Sequence, residues 1–119
     1  MMSHRSQQAD DPVVVVYRVI DDSERRYLAA YGDYGSNPSQ SGKYFALTLD
    51  GASAFARAPM NTGTVITRTT LPASIVQRGM MFNDPGANGA GLSVFFPQQL
   101  LTVVYDSMSV PVIWSGAEA

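Results

Sequence analysis

The most informative pattern in the chain is an apolar run near its start that carries one charge. Residues Val13 to Ile20 are β-branched or aromatic except for Arg18, a composition that predicts a strand. A guanidinium group keeps its proton, so a sheet that takes Arg18 inward must supply an anionic or multiply hydrogen-bonding partner, such as a ligand phosphate or carboxylate. Alternate residues share one face of a strand. Both faces of this strand carry valine, so the pattern leaves open whether Arg18 points to a ligand or to solvent.

A short amphipathic helix is predicted directly after this strand. Residues Asp21 to Glu24 supply capping and acidic side chains of the kind that begin a helix. Tyr27, Leu28 and Tyr31 follow at spacings of three and four residues, which places them on one face that packs against the sheet. Gly32 marks the end of this helix.

A second strand leading into a second helix is predicted around residues 43–57. The run from Lys43 to Leu49 is typical of a strand, and Asp50 is a suitable N-cap for the small residues at positions 51–57. Tyr44 and Phe45 then point to opposite faces. Phe45 suits the core or a ligand surface, and Tyr44 is a candidate to stack on an aromatic ring of a ligand.

The rest of the chain alternates strand-like runs with turns. Strand-like composition outnumbers helical composition, which predicts an α+β domain with one or two packed sheets. Further strands are predicted at 63–71, 92–96, 101–105 and 110–114, single helical turns at 73–77 and 97–100, and loops at 32–42 and 83–91.

Length and charge restrict the classes of protein. A chain of 119 residues with 45% hydrophobic content fits one domain, which we place at 13–119 after a flexible polar leader at 1–12. A net charge of -2 disfavours DNA binding, which needs a basic face. The longest apolar run is far below the roughly 20 residues of a membrane span, so no membrane partner is expected.

The residue inventory also excludes several chemistries. The chain has no cysteine, and its one histidine, His4, lies in the leader. Thiol nucleophiles, disulfides and histidine-based acid–base chemistry are therefore not expected. The acidic residues are scattered, so no metal site is predicted.

Several polar residues stand at the ends of predicted strands. Thr48 is placed either to orient a ligand or to satisfy a turn. Gln98 and Gln99 follow a proline, where they act either on a ligand or as first-turn helix residues. Lys43 is either a cation at the start of a strand or a ligand contact.

Two of these segments together resemble the ADP-ribosyltransferase fold. They are Tyr17-Arg18-Val19-Ile20, and Gly42-Lys43-Tyr44-Phe45-Ala46-Leu47-Thr48 with Ala52 and Ala56 trailing on a helix. The chain looks most like the small toxin domains that end bacterial polymorphic and contact-dependent effectors. In that family a strand-borne arginine or histidine grips NAD, a second strand carries Ser, Thr or Tyr near the nicotinamide, and a third carries an acid. The resemblance implies two packed β-sheets with short helices.

The resemblance also assigns roles to residues of this chain. It implies that Arg18 holds NAD and that Tyr44 and Thr48 lie at or near the nicotinamide ribose. Lys43, Phe45 and Ser93 are further candidates for NAD binding. Many such toxin domains open the third strand with glutamate, whereas Ser93-Val94-Phe95-Phe96-Pro97 has serine there. Either the acid comes from elsewhere, or a glutamine such as Gln98 or Gln99 replaces it, or the domain is not a transferase.

The function that the resemblance implies is cleavage of the nicotinamide–ribose bond of NAD. NAD is then the substrate, and the ADP-ribosyl group passes to a protein or to water. The family also implies a secreted or delivered effector acting in the cytoplasm of a target cell, with a cognate immunity protein that contacts the loops at 32–42 and 80–91. Two alternatives stay open: a histidine-independent toxin ribonuclease that uses Arg18, Lys43, Tyr44 and threonines, and a degenerate interaction module without catalysis.

Overall fold

Short helices and antiparallel strands alternate along the chain, and the computed structural model describes residues 11–36 and 40–114. Within these residues the strands are β1 (Val13–Ile20), β2 (Gly42–Ala46), β3 (Val65–Pro72), β4 (Met80–Asp84), β5 (Gly91–Pro97) and β6 (Val112–Ile113). The α-helices are α1 (Asp22–Tyr31), α2 (Leu49–Ala56), α3 (Ala73–Val76) and α4 (Leu101–Ser107), with 3-10 turns at Pro59–Asn61 and Gln98–Leu100. This arrangement confirms the predicted α+β class.

The strands form one six-stranded sheet rather than the two packed sheets that the family resemblance implied. The order is β4-β5-β2-β1-β3-β6, and every pairing is antiparallel. The weakest junction is between β1 and β2, whose ladder contains the single pair Tyr17 and Ala46. By contrast, β1 pairs with β3 at eight positions and β2 with β5 at five. The sheet therefore consists of two three-stranded halves, β4-β5-β2 and β1-β3-β6, that are joined at a narrow seam.

The hydrophobic core lies on one face of this sheet. Its strand residues alternate with residues of the opposite face, as extended backbone requires. Helices α1 and α4 cover this face through Leu28, Leu101 and Val104. The strand members of the core are Val16, Ile20, Phe45, Leu71, Val94 and Phe96. Helix α2 packs on the other face, so each side of the sheet is at least partly covered.

The strand predicted at 101–105 is instead a helix. Leu101, Val104 and Met108 recur at spacings of three and four residues, and all three pack into the core cluster. An apolar run of this length fits both a strand and a buried helix. The segment is a helix because all three side chains are buried against the core face, and only helical spacing turns them to the same side.

Two further boundaries differ from the sequence prediction. Met80–Asp84, predicted as the approach to a loop, forms β4 and pairs with β5 at five positions. Helix α2 begins after Thr48 rather than after Asp50, because the Thr48 hydroxyl accepts a hydrogen bond from the Gly51 amide at 3.0 Å. Composition alone does not show that Met80–Asp84 pairs with a neighbouring strand. It also does not show which of two nearby capping residues begins a helix.

The end of the predicted leader is attached to the domain. Residues 1–10 lie outside the described residues, but Asp11 accepts hydrogen bonds from the amide and hydroxyl of Ser74 at 3.0 and 2.9 Å. The Pro12 carbonyl accepts a bond from the Ala73 amide at 2.8 Å. In the described part of the chain, the longest helix is too short to span a lipid bilayer.

Candidate functional site

A cleft of about 210 Å³ opens on the α2 face of the sheet. Its floor follows one row of paired residues across four strands: Tyr17 on β1, Ala46 on β2, Ser93 on β5 and Phe82 on β4. The two central residues are small and the two outer ones are aromatic, so the row is low in the middle and high at its sides. Side chains of α2, among them Phe55, form a further wall.

An exposed aromatic cluster forms the rim of this cleft. Tyr44 is 56% exposed. Its ring centroid lies 4.6 Å from that of Phe95 and 5.7 Å from that of Phe82, in tilted and edge-on arrangements. These neighbours restrict the orientation of the Tyr44 ring while leaving part of it in solvent. Such a surface suits stacking by a planar ligand group.

Arg18 lies at the seam between the two halves of the sheet and points inward. Its Nε and Nη2 atoms donate to the two carboxylate oxygens of Glu24 at 2.6 and 2.9 Å. Its Nη1 donates to the Tyr44 carbonyl at 2.9 Å, which bridges β1 to β2 where their ladder is interrupted. The side chain is 15% exposed. The question that the sequence left open is therefore answered: Arg18 faces the interior, and a carboxylate supplies its anionic partner.

The Arg18 guanidinium group nevertheless has unused hydrogen-bond donors. It carries five N–H donors, and within the described residues three of them are used by Glu24 and the Tyr44 carbonyl. Arg18 also lines the cleft, as well as a shallow groove next to it formed by residues 40–42. By alternation the Arg18 side chain shares the core face with Val16 and Ile20, and Arg18 meets the cleft at the seam between β1 and β2.

Lys43 completes a small buried charge group with Arg18 and Glu24. It is 4% exposed, and its Nζ lies 3.4 Å from Glu24 Oε1. Burial lowers the pKa of Lys43, and the neighbouring Arg18 charge lowers it further, whereas Glu24 acts in the opposite direction. Two cations share one carboxylate, which leaves this hydrogen-bonded group with one excess positive charge. Lys43 points to the core face, as Arg18 does by alternation with Val16 and Ile20, and it does not line the cleft.

A relay of hydroxyl groups fixes the backbone of β1 beside Arg18. The Thr67 hydroxyl donates to the Arg18 carbonyl at 2.8 Å and lies 2.6 Å from the Tyr34 hydroxyl. Since the Thr67 proton is directed to the carbonyl, the Tyr34 hydroxyl donates to Thr67. Burial raises the pKa of Tyr34 to about 12, although the bond to Thr67 and the Arg18 charge counteract this.

Replacing Tyr34 with phenylalanine is expected to reduce the loss of stability at high pH. The folded protein keeps the Tyr34 proton until about pH 12, whereas the unfolded chain loses it near pH 10. The stabilisation is therefore complete below pH 10 and is lost as the pH rises through about 12. A shift of this size corresponds to at most roughly 3 kcal/mol. Urea unfolding at about pH 9 and about pH 11 measures the difference between wild type and Tyr34→Phe.

Tyr27→Phe is the matched control, because Tyr27 is 41% exposed. It should unfold with the wild-type pH dependence. Tyr34→Phe also loses the bond to Thr67, which costs about 1 kcal/mol at neutral pH. An unchanged pH dependence in Tyr34→Phe would show that this phenol does not titrate differently in the folded state.

The structure does not bring every predicted residue to the cleft. Thr48 is exposed and serves as the α2 N-cap. Gln98 lines a separate groove beside α1 and α4, where its Oε1 is buried without a partner among the described residues. Phe45 borders the cleft, but its ring is buried in the core. Ser93 lies on the cleft floor, and its hydroxyl donates to the Gly91 carbonyl at 2.9 Å.

Two acidic residues of the site were missed by sequence reasoning. Glu24 was interpreted only as part of the α1 start, yet it also binds Arg18 and Lys43. Asp84 was assigned to a loop, yet it is the last residue of β4 and lines the cleft. Its Oδ2 accepts a hydrogen bond from the Ala90 amide at 3.0 Å. A two-residue alternation from Phe82 would have placed Asp84 on the same face, had β4 been recognised as a strand.

A close contact between α2 and the 84–91 loop shapes the Asp84 end of the cleft. At Gly51 any side chain would overlap the Ala90 carbonyl oxygen. Glycine is therefore required for the first turn of α2 to approach this loop.

Within residues 11–36 and 40–114, no three His, Cys, Asp or Glu side chains converge as they would to hold a metal ion. No protein-family model, curated protein or solved structure matches the chain.

Proposed function

We propose that this domain consumes NAD by cleaving the nicotinamide–ribose bond and passing the ADP-ribosyl group to a protein or to water. One observation carries the proposal. The family resemblance assigns Arg18 to binding NAD, Tyr44 to the contact with nicotinamide, and Ser93 to the position on the third strand. They stand on the adjacent strands β1, β2 and β5 and line one cleft.

The Arg18 end of the cleft suits the diphosphate of NAD. Arginine forms paired hydrogen bonds to phosphate oxygens, and Arg18 has N–H groups beyond those used by Glu24 and Tyr44. The excess positive charge of the buried group adds a favourable potential, since charges in a protein interior are screened less than in water. Arg18 accordingly binds the diphosphate while Glu24 holds its side chain in place.

The aromatic end suits the nicotinamide ring. Ala46 and Ser93 leave a low floor between Tyr17 and Phe82, and Tyr44 presents an exposed ring at the rim. The volume of about 210 Å³ is below the roughly 300–1,000 Å³ of a site that encloses a drug-sized molecule. The cleft therefore encloses the nicotinamide end of NAD, and the adenosine end lies along the shallow groove at residues 40–42.

The reaction breaks the bond between the ring nitrogen and ribose C1'. Nicotinamide leaves as a neutral molecule with the electron pair of that bond, and positive charge develops on C1'. Water or a nucleophile of an acceptor protein then adds to C1' and releases a proton. Catalysis requires groups that favour this charge more in the transition state than in the bound substrate.

The delivered-toxin role and the cognate immunity protein belong to the same proposal. Met80 of β4 is 64% exposed and projects from the same face as Phe82, so it would support a partner that covers the cleft.

The test is the release of nicotinamide from NAD by the purified chain, measured by chromatography with and without cell lysate as acceptor. We expect release in both cases or only with lysate. Hydrolysis yields one ADP-ribose per nicotinamide, whereas transfer leaves the ADP-ribosyl group on protein. Tyr44→Ala should reduce release strongly, and Tyr31→Ala, at a 70% exposed position on α1, should not. Absence of nicotinamide under every condition would reject the proposed function.

A further inference from the structure

Among the described residues that line the cleft, Asp84 is the only acid. It follows Phe82 by two positions on β4, so both side chains project from the same face of the sheet. Phe82 pairs with Ser93, and Asp84 pairs with Gly91, two residues further along β5. Asp84 is thus diagonal to Ser93 across the β4–β5 pair.

The surroundings of Asp84 hold its side chain in position. One carboxylate oxygen accepts the Ala90 amide at 3.0 Å, and the Ala90 carbonyl is packed against Gly51 at the start of α2. The bond uses Oδ2, and the carboxylate has a second oxygen with which to meet a ligand.

The two ends of the cleft are opposite in charge. Arg18 bonds to the Tyr44 carbonyl, and Tyr44 pairs with Phe95 on one side of the central row. Asp84 lies on the other side of that row, opposite Gly91. Between the two ends lie the rings of Tyr44 and Phe82, whose faces attract cations. A cleft with a carboxylate at one end, aromatic rings in the middle and a guanidinium at the other end suits a ligand with a planar cationic group and an anionic group.

We propose that Asp84 supplies the catalytic carboxylate of this cleft and recognises a planar cationic ring, the quaternary pyridinium of NAD. This inference rests on the proposed function. The carboxylate attracts the charged ring in the bound substrate. It then faces the positive charge on C1' as the ring leaves with the electrons of the bond. Water adds to C1' and loses a proton, so that NAD and water give ADP-ribose, nicotinamide and a proton. The Ser93 hydroxyl, which is bonded to the Gly91 carbonyl, is not needed for this role.

Binding of two small probes tests the assignment without any turnover. The N-methylnicotinamide cation and neutral nicotinamide share a ring but differ in charge, and titration followed by NMR gives their dissociation constants. We expect wild type to prefer the cation by about tenfold. Asp84→Asn should lose that preference with little change in affinity for nicotinamide, because asparagine still accepts the Ala90 amide. Asp84→Glu should restore part of the preference.

Asp106→Asn, which alters an exposed acid on α4, is the control and should behave as wild type. Equal binding of the two probes by wild type, or a preference that survives in Asp84→Asn, would overturn the assignment.

Nicotinamide release separates this inference from the proposed function. If wild type releases nicotinamide and Asp84→Asn matches its kcat, the role of Asp84 is wrong and the NAD reaction stands. If wild type prefers the cation but releases no nicotinamide, the carboxylate site stands and the NAD reaction is wrong. Agreement with both proposals requires a cation preference in wild type and a fall in kcat of about 100-fold in Asp84→Asn.

Discussion

Arg18→Lys is expected to lower kcat/KM for nicotinamide release by about 100-fold or more. Lysine keeps the positive charge, but its single ammonium group cannot reproduce the planar fork of arginine. In wild type this fork bonds both oxygens of Glu24 and the Tyr44 carbonyl at 2.6–2.9 Å. A lysine that approaches Glu24 has no second nitrogen left for the carbonyl or for a diphosphate, so NAD binding weakens and its orientation is lost.

The control for this variant is Arg25→Lys, because Arg25 is exposed on α1. It should retain wild-type kinetics. Circular dichroism and urea unfolding of Arg18→Lys establish that the domain still folds, since Lys43 and the new lysine continue to balance Glu24. A folded Arg18→Lys variant with the wild-type rate would mean that Arg18 only holds the two halves of the sheet together.

Glu24→Gln is expected to destabilise the domain by about 3 kcal/mol. Glutamine has nearly the same volume, but it removes the carboxylate that Arg18 and Lys43 share. The side chains of Arg18 and Glu24 are each 15% exposed and that of Lys43 is 5% exposed, so water screens the remaining two positive charges poorly. Leaving charges without a partner in such a place is costly. Urea unfolding at neutral pH measures the effect.

Asp22→Asn provides the matched comparison. Asp22 also pairs with an arginine of α1, Arg26, at 3.4 Å, but the two side chains are 69% and 76% exposed. Exposed pairs of this kind contribute about 0–1 kcal/mol. The double variant Glu24→Gln, Lys43→Met should recover part of the lost stability, because only one cation then remains. If Glu24→Gln costs no more than Asp22→Asn, the charge group does not stabilise the seam between β1 and β2.

The sequence predicted β1 and both ends of α1 because neighbouring residues determine them. The valine-rich run predicted β1 over its observed residues, and the Asp21 side chain caps α1 as expected, with Gly32 in the left-handed conformation at its end. Backbone propensity and capping are properties of neighbouring residues. They do not depend on how the rest of the chain packs.

The partners of the site residues could not be predicted in the same way. Glu24 has two roles: it is an acidic residue in the first turn of α1, and it is the partner of Arg18. Only the first role is visible in the sequence. Asp84 reaches the cleft because β4 pairs with β5, and the run Met80–Asp84 has little β-propensity of its own. Both roles arise from contacts between separate elements, which propensity and spacing do not encode.

The most direct test of the proposed site is a crystal structure with a carbocyclic NAD analogue whose nicotinamide cannot be cleaved. We expect its diphosphate within hydrogen-bonding distance of Arg18 and its nicotinamide ring between Tyr44 and Asp84, over Ala46 and Ser93. A structure in which the analogue is absent at saturating concentration, or binds away from Arg18, would contradict the account.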